Sequence, residues 1–278
     1  MKAKVSVGIL TFNHERFIEK CIRSVLSLNY ENLEIVISDD CSTDQTFEIV
    51  KTTAENINSP HQIIINKNEN NLGLADNFNK VFYTLATGDF LITLGGDDMI
   101  KEDYIESALS NFTRDPQLMM LDFNADIINE FDQVVKPATS LGYNIRYGAL
   151  QNYLALEPIV SFAPGRMIKN DLVRNFQPIS SNCPTEDSVL LVRALLMGKY
   201  ARLNKDVILY RRHSNNISSE INLRKLSNTS IIAQYLKDAI SLYDRNIISD
   251  RLLLQLFKRF DYEYKRREIV YSDLSKYV

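Results

Sequence analysis

The first hundred residues switch repeatedly between short apolar runs and longer amphipathic stretches, and that alternation leaves very few architectures open. Val5–Leu10 is apolar and rich in β-branched residues, and Glu15–Leu28 follows with Phe17, Ile18, Cys21, Ile22, Val25 and Leu26 at helical spacing. Leu33–Ile37 reads as a second buried strand, and Ser42-Thr43-Asp44 supplies capping side chains for a helix over Gln45–Ala54. Ile63–Ile65 is a third strand; a polar loop Asn66–Gly73, a helix over Leu74–Ala86 and a strand Phe90–Leu94 follow. A parallel strand pair needs a crossover, and the crossover helix covers a face, so this order predicts an α/β chain with a mostly parallel central sheet flanked by helices.

The second half is less regular. Leu118–Phe123 and Val134–Lys136 read as strands, and Tyr147–Leu156 as a helix. Pro184-Thr185-Glu186-Asp187 opens a helix that reaches Met197 and ends at Gly198. Tyr200–Leu203 and Val207–Arg211 are expected as a hairpin pair, and the pattern from Glu220 onward is helical. A boundary near 218 divides residues 1–218, with halves 1–98 and 99–218, from a C-terminal helical extension, 219–278.

Charge and composition exclude several classes. The balance of 32 basic and 35 acidic residues gives a net charge of -3, so no whole-chain basic footprint for nucleic acid exists. No apolar stretch approaches the ~20 residues that span a bilayer. Lys2 and Lys4 before Val5–Phe12 imitate a signal peptide, but no small-residue cleavage site follows, and a soluble, cytoplasmic chain is expected. Cys21, Cys41 and Cys183 match no zinc or disulfide spacing and read as reduced thiols. With only His14, His61 and His213 available, a metal would be held mainly by carboxylate, which favours magnesium or manganese over zinc.

In parallel α/β sheets ligands bind beyond the carboxyl ends of the strands. After the first strand come Thr11, Phe12 and Asn13; after the second, Asp39 and Asp40; after the fourth, Gly95-Gly96-Asp97-Asp98. Either acidic pair alone reads most simply as a helix cap. Two pairs on one rim repel each other unless a cation joins them, which points to a hard divalent metal. No G-x-G-x-x-G or P-loop sequence follows any strand, so a dinucleotide or Walker-type site is not expected.

Val5–Asn13 (VSVGILTFN), Ile35–Asp44 (IVISDDCSTD), Asn71–Phe90 (NLGLADNFNKVFYTLATGDF) and Leu94–Asp98 (LGGDD) together resemble the family-2 inverting nucleotide-sugar glycosyltransferases of the GT-A, Rossmann-like fold. Thr185-Glu186-Asp187 and Tyr210-Arg211-Arg212-His213-Ser214-Asn215-Asn216 are similar to that family's catalytic acidic motif and late metal-binding histidine segment. The resemblance implies that Thr11, Asn13, Gly73, Asn77, Gly96 and Asp97 line the nucleotide pocket and that Asp39 and Asp40 meet the base. It implies that Asp97, Asp98 and His213 hold Mn2+ or Mg2+, and that Asp187, with Glu186 beside it, deprotonates the acceptor. Two departures stand out. Where the family's best-known pattern is Asp-x-Asp, this chain has Gly95-Gly96-Asp97, so the acid that usually contacts the donor ribose is absent; and Phe78 stands where many members carry arginine.

The implied activity is metal-dependent, inverting transfer of a hexosyl or N-acetylhexosaminyl group. The donor would be a nucleotide sugar, UDP being the commonest carrier, and the acceptor a glycan or undecaprenyl-diphosphate-linked oligosaccharide of a bacterial surface polysaccharide. Two competitors are a sugar-phosphate nucleotidyltransferase, which would carry a glycine-rich basic loop where this chain has Thr-Phe-Asn-His, and a non-catalytic sugar-nucleotide-binding protein, supported only by Gly95. The C-terminal stretch mixes Lys258, Arg259, Lys265, Arg266 and Arg267 with Phe257, Phe260, Tyr262, Tyr264 and Tyr271. Peripheral contact with the inner face of the membrane is one expectation for it; packing on the catalytic domain, or on a second subunit of a homodimer, is the other. Asp122 and Asp126 fit no motif and read as surface acids.

Overall fold

The structure, a computed structural model, describes residues 2–56, 59–138, 141–214, 216 and 228–274. β1 (Val5–Thr11), β2 (Leu33–Asp39), β3 (Gln62–Lys67) and β4 (Phe90–Gly95) form the parallel half of one sheet, in the order β3-β2-β1-β4. Every residue of β1 and β2 is buried, as strands covered on both faces require, while β3 at the edge is partly exposed. The crossovers run through α1 (Ile18–Leu26), α2 (Thr46–Glu55) and α3 (Leu74–Asn79). The helix expected to run to Ala86 instead passes into a π-helical stretch, Lys80–Leu85, that lowers Val81 and Phe82 onto Gly8. A Cβ at Gly8 would lie 2.7 Å from Val81 Cγ1, so only glycine allows this approach.

Beyond β4 the sheet is mixed. β5 (Met99–Ile100), α4 (Tyr104–Arg114), β6 (Leu118–Ile128), β7 (Val134–Lys136), β8 (Ile145–Ala149), α5 (Leu150–Leu154), β9 (Met167–Lys169), α6 (Asp171–Arg174), α7 (Asp187–Met197) and β10 (Lys199–Arg211) complete it. β9 lies antiparallel between β4 and β6, and β10 runs parallel to β6 with β5 and β8 antiparallel on it.

Two expectations need correction. Tyr147–Leu156 is not one helix: Ile145–Ala149 pairs with Leu203–Lys199, and only Leu150–Leu154 is helical. Tyr200–Leu203 and Val207–Arg211 are not a hairpin but the two halves of β10. Both halves pair in parallel with β6, and the polar Asn204-Lys205-Asp206 break is absorbed as register shifts rather than a reversal.

Side chains alternate between the two faces of the sheet and build two apolar layers. Val7, Ile9, Ile35 and Ile37 join α1 and α4 on one face, whereas Leu10 and Val36 join Phe78, Phe82 and α7 on the other. The second layer continues into two C-terminal helices, α8 (Asn228–Asp244) and α9 (Asp250–Leu274), through Ile231, Tyr235, Ala239, Leu242, Leu256 and Phe260. A fully buried Arg193 on α7 bonds Asp238 of α8 through Nε at 2.7 Å and Nη2 at 3.0 Å. On α9, Arg259 pairs with Glu263 and Lys265 with Asp261, and Phe260 is buried. The boundary at 218 and the helical start at Glu220 lie outside the described residues. No helix among the described residues is long and apolar enough to cross a membrane.

Candidate active site

The loop after β4 carries the acids. A buried Asp97 turns Oδ2 to within 3.0 Å of His213 Nε2 and 3.9 Å of His14 Nε2, and the same oxygen accepts a bond from Asn216 Nδ2 at 3.0 Å. One ligand atom from each of His14, Asp97 and His213 falls within 4.8 Å of the others. Two imidazoles and one carboxylate converge there, a donor set able to hold a divalent ion, and it corrects the expectation of a site held mainly by carboxylate. Burial pushes the Asp97 carboxyl up, but the His213 hydrogen bond and the two imidazoles outweigh it and hold it below the usual range. His14 is lowered, chiefly by burial, against the opposing charge of Asp97. Its Nδ1 lies 3.3 Å from Thr11 Oγ1, which orients the ring.

Asp98 does not join this cluster. Its Oδ1 accepts the Arg211 N–H at 2.8 Å, and burial together with the charge of Asp97 raises its carboxyl well above the ordinary value. Arg211 secures the loop from the end of β10: Nε donates to the Asp97 carbonyl at 2.7 Å, Nη1 to Asn129 O at 2.7 Å, and the guanidinium stacks 4.6 Å over Phe17. A Cβ on Gly95 would stand 2.7 Å from Asp97 Oδ1, and one on Gly96 would stand 2.6 Å from Thr11 Oγ1 and 2.9 Å from His14 Nδ1. Gly95 thus leaves room for Asp97 on its own loop, and Gly96 for Thr11 and His14 from the end of β1.

The neighbouring wall comes from the ends of β1 and β2. Asn13, exposed and at φ 55, accepts the Thr43 N–H at 2.9 Å and donates its own N–H to Ser42 Oγ at 2.9 Å. Asp39 is fully buried and accepts from Ser42 N at 3.0 Å and from Ser42 Oγ. Asp40 accepts the Leu72 and Gly73 N–H groups at 2.8 and 2.9 Å and Asn68 Nδ2 at 2.9 Å, fastening the Asn66–Gly73 loop over the sheet. Asn77 is buried, accepting from Ser38 Oγ at 2.6 Å. Both aspartates and Asn77 therefore engage the protein's own donors and frame the wall, while Asn13 and the Gly73 backbone stand nearer the surface.

Glu186 and Asp187 begin α7. Glu186 is buried, its Oε2 has no hydrogen-bond partner among the described residues, and burial reinforced by the charge of Asp187 raises it well above a usual carboxylate. Asp187 is also raised, chiefly by burial, but Arg166 Nη1 lies 3.9 Å from Oδ1 and opposes the rise. With 46% of its side chain open to water, we take Asp187 as the ionised member of the pair.

Four residues of this region escaped the sequence reading. His14 follows Asn13 directly at the rim, but no spacing links positions 14 and 213. Asn216 lies within the quoted segment (Asn215 falls outside the described residues). Arg211 and Arg166 are buried cations, which sequence does not reveal. Asp122 is corrected: it is a fully buried acid, not a surface one, paired with Arg166 Nε at 2.7 Å. Asp126 is mostly shielded and pairs with Lys101 at 3.0 Å.

Residues 6–175 match the family described as "Glycosyl transferase family 2". An uncharacterized glycosyltransferase of Nostoc sp. is 24% identical over 249 residues, 84% of this chain and 75% of the Nostoc protein. The hyaluronan synthase of Pasteurella multocida is 26% identical over 88% of this chain, but the alignment takes in only 24% of that protein. A putative glycosyltransferase of Bacillus subtilis, EpsE, is 38% identical over 96 residues, about a third (34%) of each chain. Among solved structures, S. aureus TarS 1-349 with UDP-GlcNAc superposes with a TM-score of 0.66 at 18% identity, covering 92% of this chain and 72% of that one. A Pyrobaculum calidifontis mannosyltransferase in complex with GDP-Man and Mn2+ gives 0.60 at 14% identity, covering 94% and 70%.

Proposed function

Because this chain belongs to glycosyl transferase family 2 and has the GT-A fold, we propose that it moves a sugar from a nucleotide-sugar donor, a UDP-sugar in the first instance, to a glycan or lipid-linked acceptor with inversion. The family membership makes it a glycosyltransferase; the donor, the metal and the acceptor are our inference. The observation that carries it is the His14, Asp97 and His213 cluster at the end of β4, on the sheet edge where such folds bind ligands. These three residues would hold the ion, whose chemistry is to neutralise charge on the departing diphosphate. Thr11, Asn13, Gly73 and Gly96 border the space for the nucleotide, with Asp39, Asp40 and Asn77 bracing it.

Asp187 is the candidate base. It accepts the acceptor hydroxyl's proton as the acceptor oxygen bonds to the anomeric carbon and the bond from that carbon to the diphosphate oxygen breaks. A single displacement of this kind needs one base and inverts the carbon. Glu186, kept protonated by burial, adds no second negative charge beside it. Synthesis of a bacterial surface polysaccharide is the setting suggested by relatives such as the hyaluronan synthase. A lipid-linked acceptor would bring α9, with exposed Leu254 and Tyr262, to the membrane surface.

The test is release of nucleotide from a panel of sugar nucleotides with manganese, magnesium or EDTA. Metal-dependent UDP release that is lost in Asp97→Ala, and retained donor binding without turnover in Asp187→Asn, are expected. His14→Ala should weaken Mn2+ binding, read by calorimetry in the presence of UDP, by about tenfold or more. Absence of both release and nucleotide binding would overturn the transferase assignment.

A further inference from the structure

Arg166 is fully buried just ahead of β9, and its guanidinium meets three groups at once. Nε and Nη2 grip Asp122 at 2.7 and 3.0 Å, Nη2 also donates to Ser161 Oγ at 2.7 Å, and Nη1 donates to the Asp187 carbonyl at 2.8 Å. Asp122 is held in turn by Phe162 N at 2.7 Å and the Tyr200 hydroxyl at 2.9 Å. On its backbone side, the Arg166 carbonyl accepts the Thr93 N–H at 3.0 Å, which hangs the residue on β4 two positions before Gly95. A cation at a helix N-terminus opposes the helix dipole, so pairing with Asp122 alone gives no reason to aim Nη1 at the first residue of α7.

We infer that Arg166 is a positioning residue for the transfer base: it holds Asp187 at the start of α7 and in register with the strand that carries the Asp97 loop. This rests on Asp187 being the base. Asp187 is faced by Arg166, by Glu186 and Thr185 from its own segment and by Asp122 from β6. Farther along α7, Arg193 is neutralised by Asp238 of α8; Tyr200 of β10 acts on Asp122. Arg166 supplies the only positive charge in the first set, and Asp122 takes up part of it. Removing Arg166 and removing the charge of Asp122 must therefore move the Asp187 titration in opposite directions.

The experiment is a 13C titration of the aspartate carboxyls in the full chain, with protons as the only ligand and Asp187→Asn assigning the signal. In Arg166→Met the Asp187 carboxyl is expected to titrate at higher pH than in wild type, and in Asp122→Asn at lower pH. Arg166→Lys, which keeps the charge without the fork, should leave the titration nearly in place. It should lower kcat for release from the panel's best donor on the order of ten- to a hundredfold with little change in KM, as misplacing a reacting group by ~1 Å does. Should Arg166→Met fail to fold, judged by circular dichroism, the other two variants carry the test. An Asp187 signal that stays put in Asp122→Asn and Arg166→Met, or an Arg166→Lys enzyme with wild-type kcat, overturns the positioning role. Turnover surviving in Asp187→Asn would instead overturn the base assignment, a separate outcome.

Discussion

Replacing Asp238 by alanine tests whether the C-terminal helices are part of the catalytic core. Arg193 is fully buried and Asp238 is 2% exposed, so neither has water to fall back on. Without the carboxylate, the guanidinium keeps only neutral partners, the Tyr83 hydroxyl at 2.7 Å and the Gln177 carbonyl at 2.9 Å, and Gln234 Nε2 loses its 2.9 Å acceptor. An exposed pair would be worth ~1 kcal/mol or less. Breaking a buried one costs about 3–5 kcal/mol, because an uncompensated charge stays inside. For a chain this large each kcal/mol moves the melting temperature by roughly 2–4 °C, so Asp238→Ala should melt on the order of 10 °C lower. Calorimetry of Asp238→Ala beside Arg193→Met/Asp238→Leu reads this out. The double variant replaces charge with apolar volume and should recover most of the loss. A single variant melting within about 2 °C of wild type, or a double variant no better than the single, would refute the reasoning.

Two further outcomes follow from the site. Gly96→Ala forces a methyl to within 2.6 Å of Thr11 Oγ1 and 2.9 Å of His14 Nδ1. The fold should survive with a loss of about 1–3 kcal/mol while UDP binding with Mn2+ falls, and unchanged calorimetric affinity would count against the cluster's geometry. Glu186 has a folded-state pKa raised far above its unfolded one, so its protonation stabilises the fold fully below the unfolded pKa of ~4.3, and that contribution is lost as pH rises through the folded pKa. Glu186→Gln cannot ionise; its urea midpoint should exceed wild type at pH 8 and the advantage should vanish near pH 4. A difference independent of pH would show that burial does not raise this carboxyl.

The parallel half of the fold was legible because each of its segments has one dominant period. Fully apolar runs such as Leu33–Ile37 can be satisfied only between two covered faces, and the strand ends then place Thr11, Asp39 and Asp97 on one rim without further information. The second half misled where local pattern and tertiary pairing compete. Asn204-Lys205-Asp206 has the composition of a turn, and only the continuous partner β6 makes it a bulge. Tyr147 to Ala149 follows no strong alternation and is captured as a strand by β10. At the site, Asp97 and His213 could be paired through the family pattern, whereas His14 joins them only through the path of the β1–α1 loop. Arg166 and Asp122 were invisible for a different reason: buried charges are found only where their partners are, and these partners lie 44 residues apart in the chain.

β10 runs unbroken for 13 residues from the end of the helix that Asp187 begins to the arginine that precedes Arg212 and His213. It is therefore a ruler between the two halves of the crevice, and strands measure in steps of two. Past the bulge, the stretch Ile208–Arg211 stays in step with Ala125–Ile128 of β6, and this parity is what turns the Arg211 guanidinium toward the Asp97 loop. Losing one residue there would reverse the facing of Arg211 and put the histidine that follows out of phase with its acid. Losing one at Asn204–Asp206, where the count is already irregular, could be taken up by the slack. Length changes in this chain are thus tolerable at one point of β10 and disabling a few residues later.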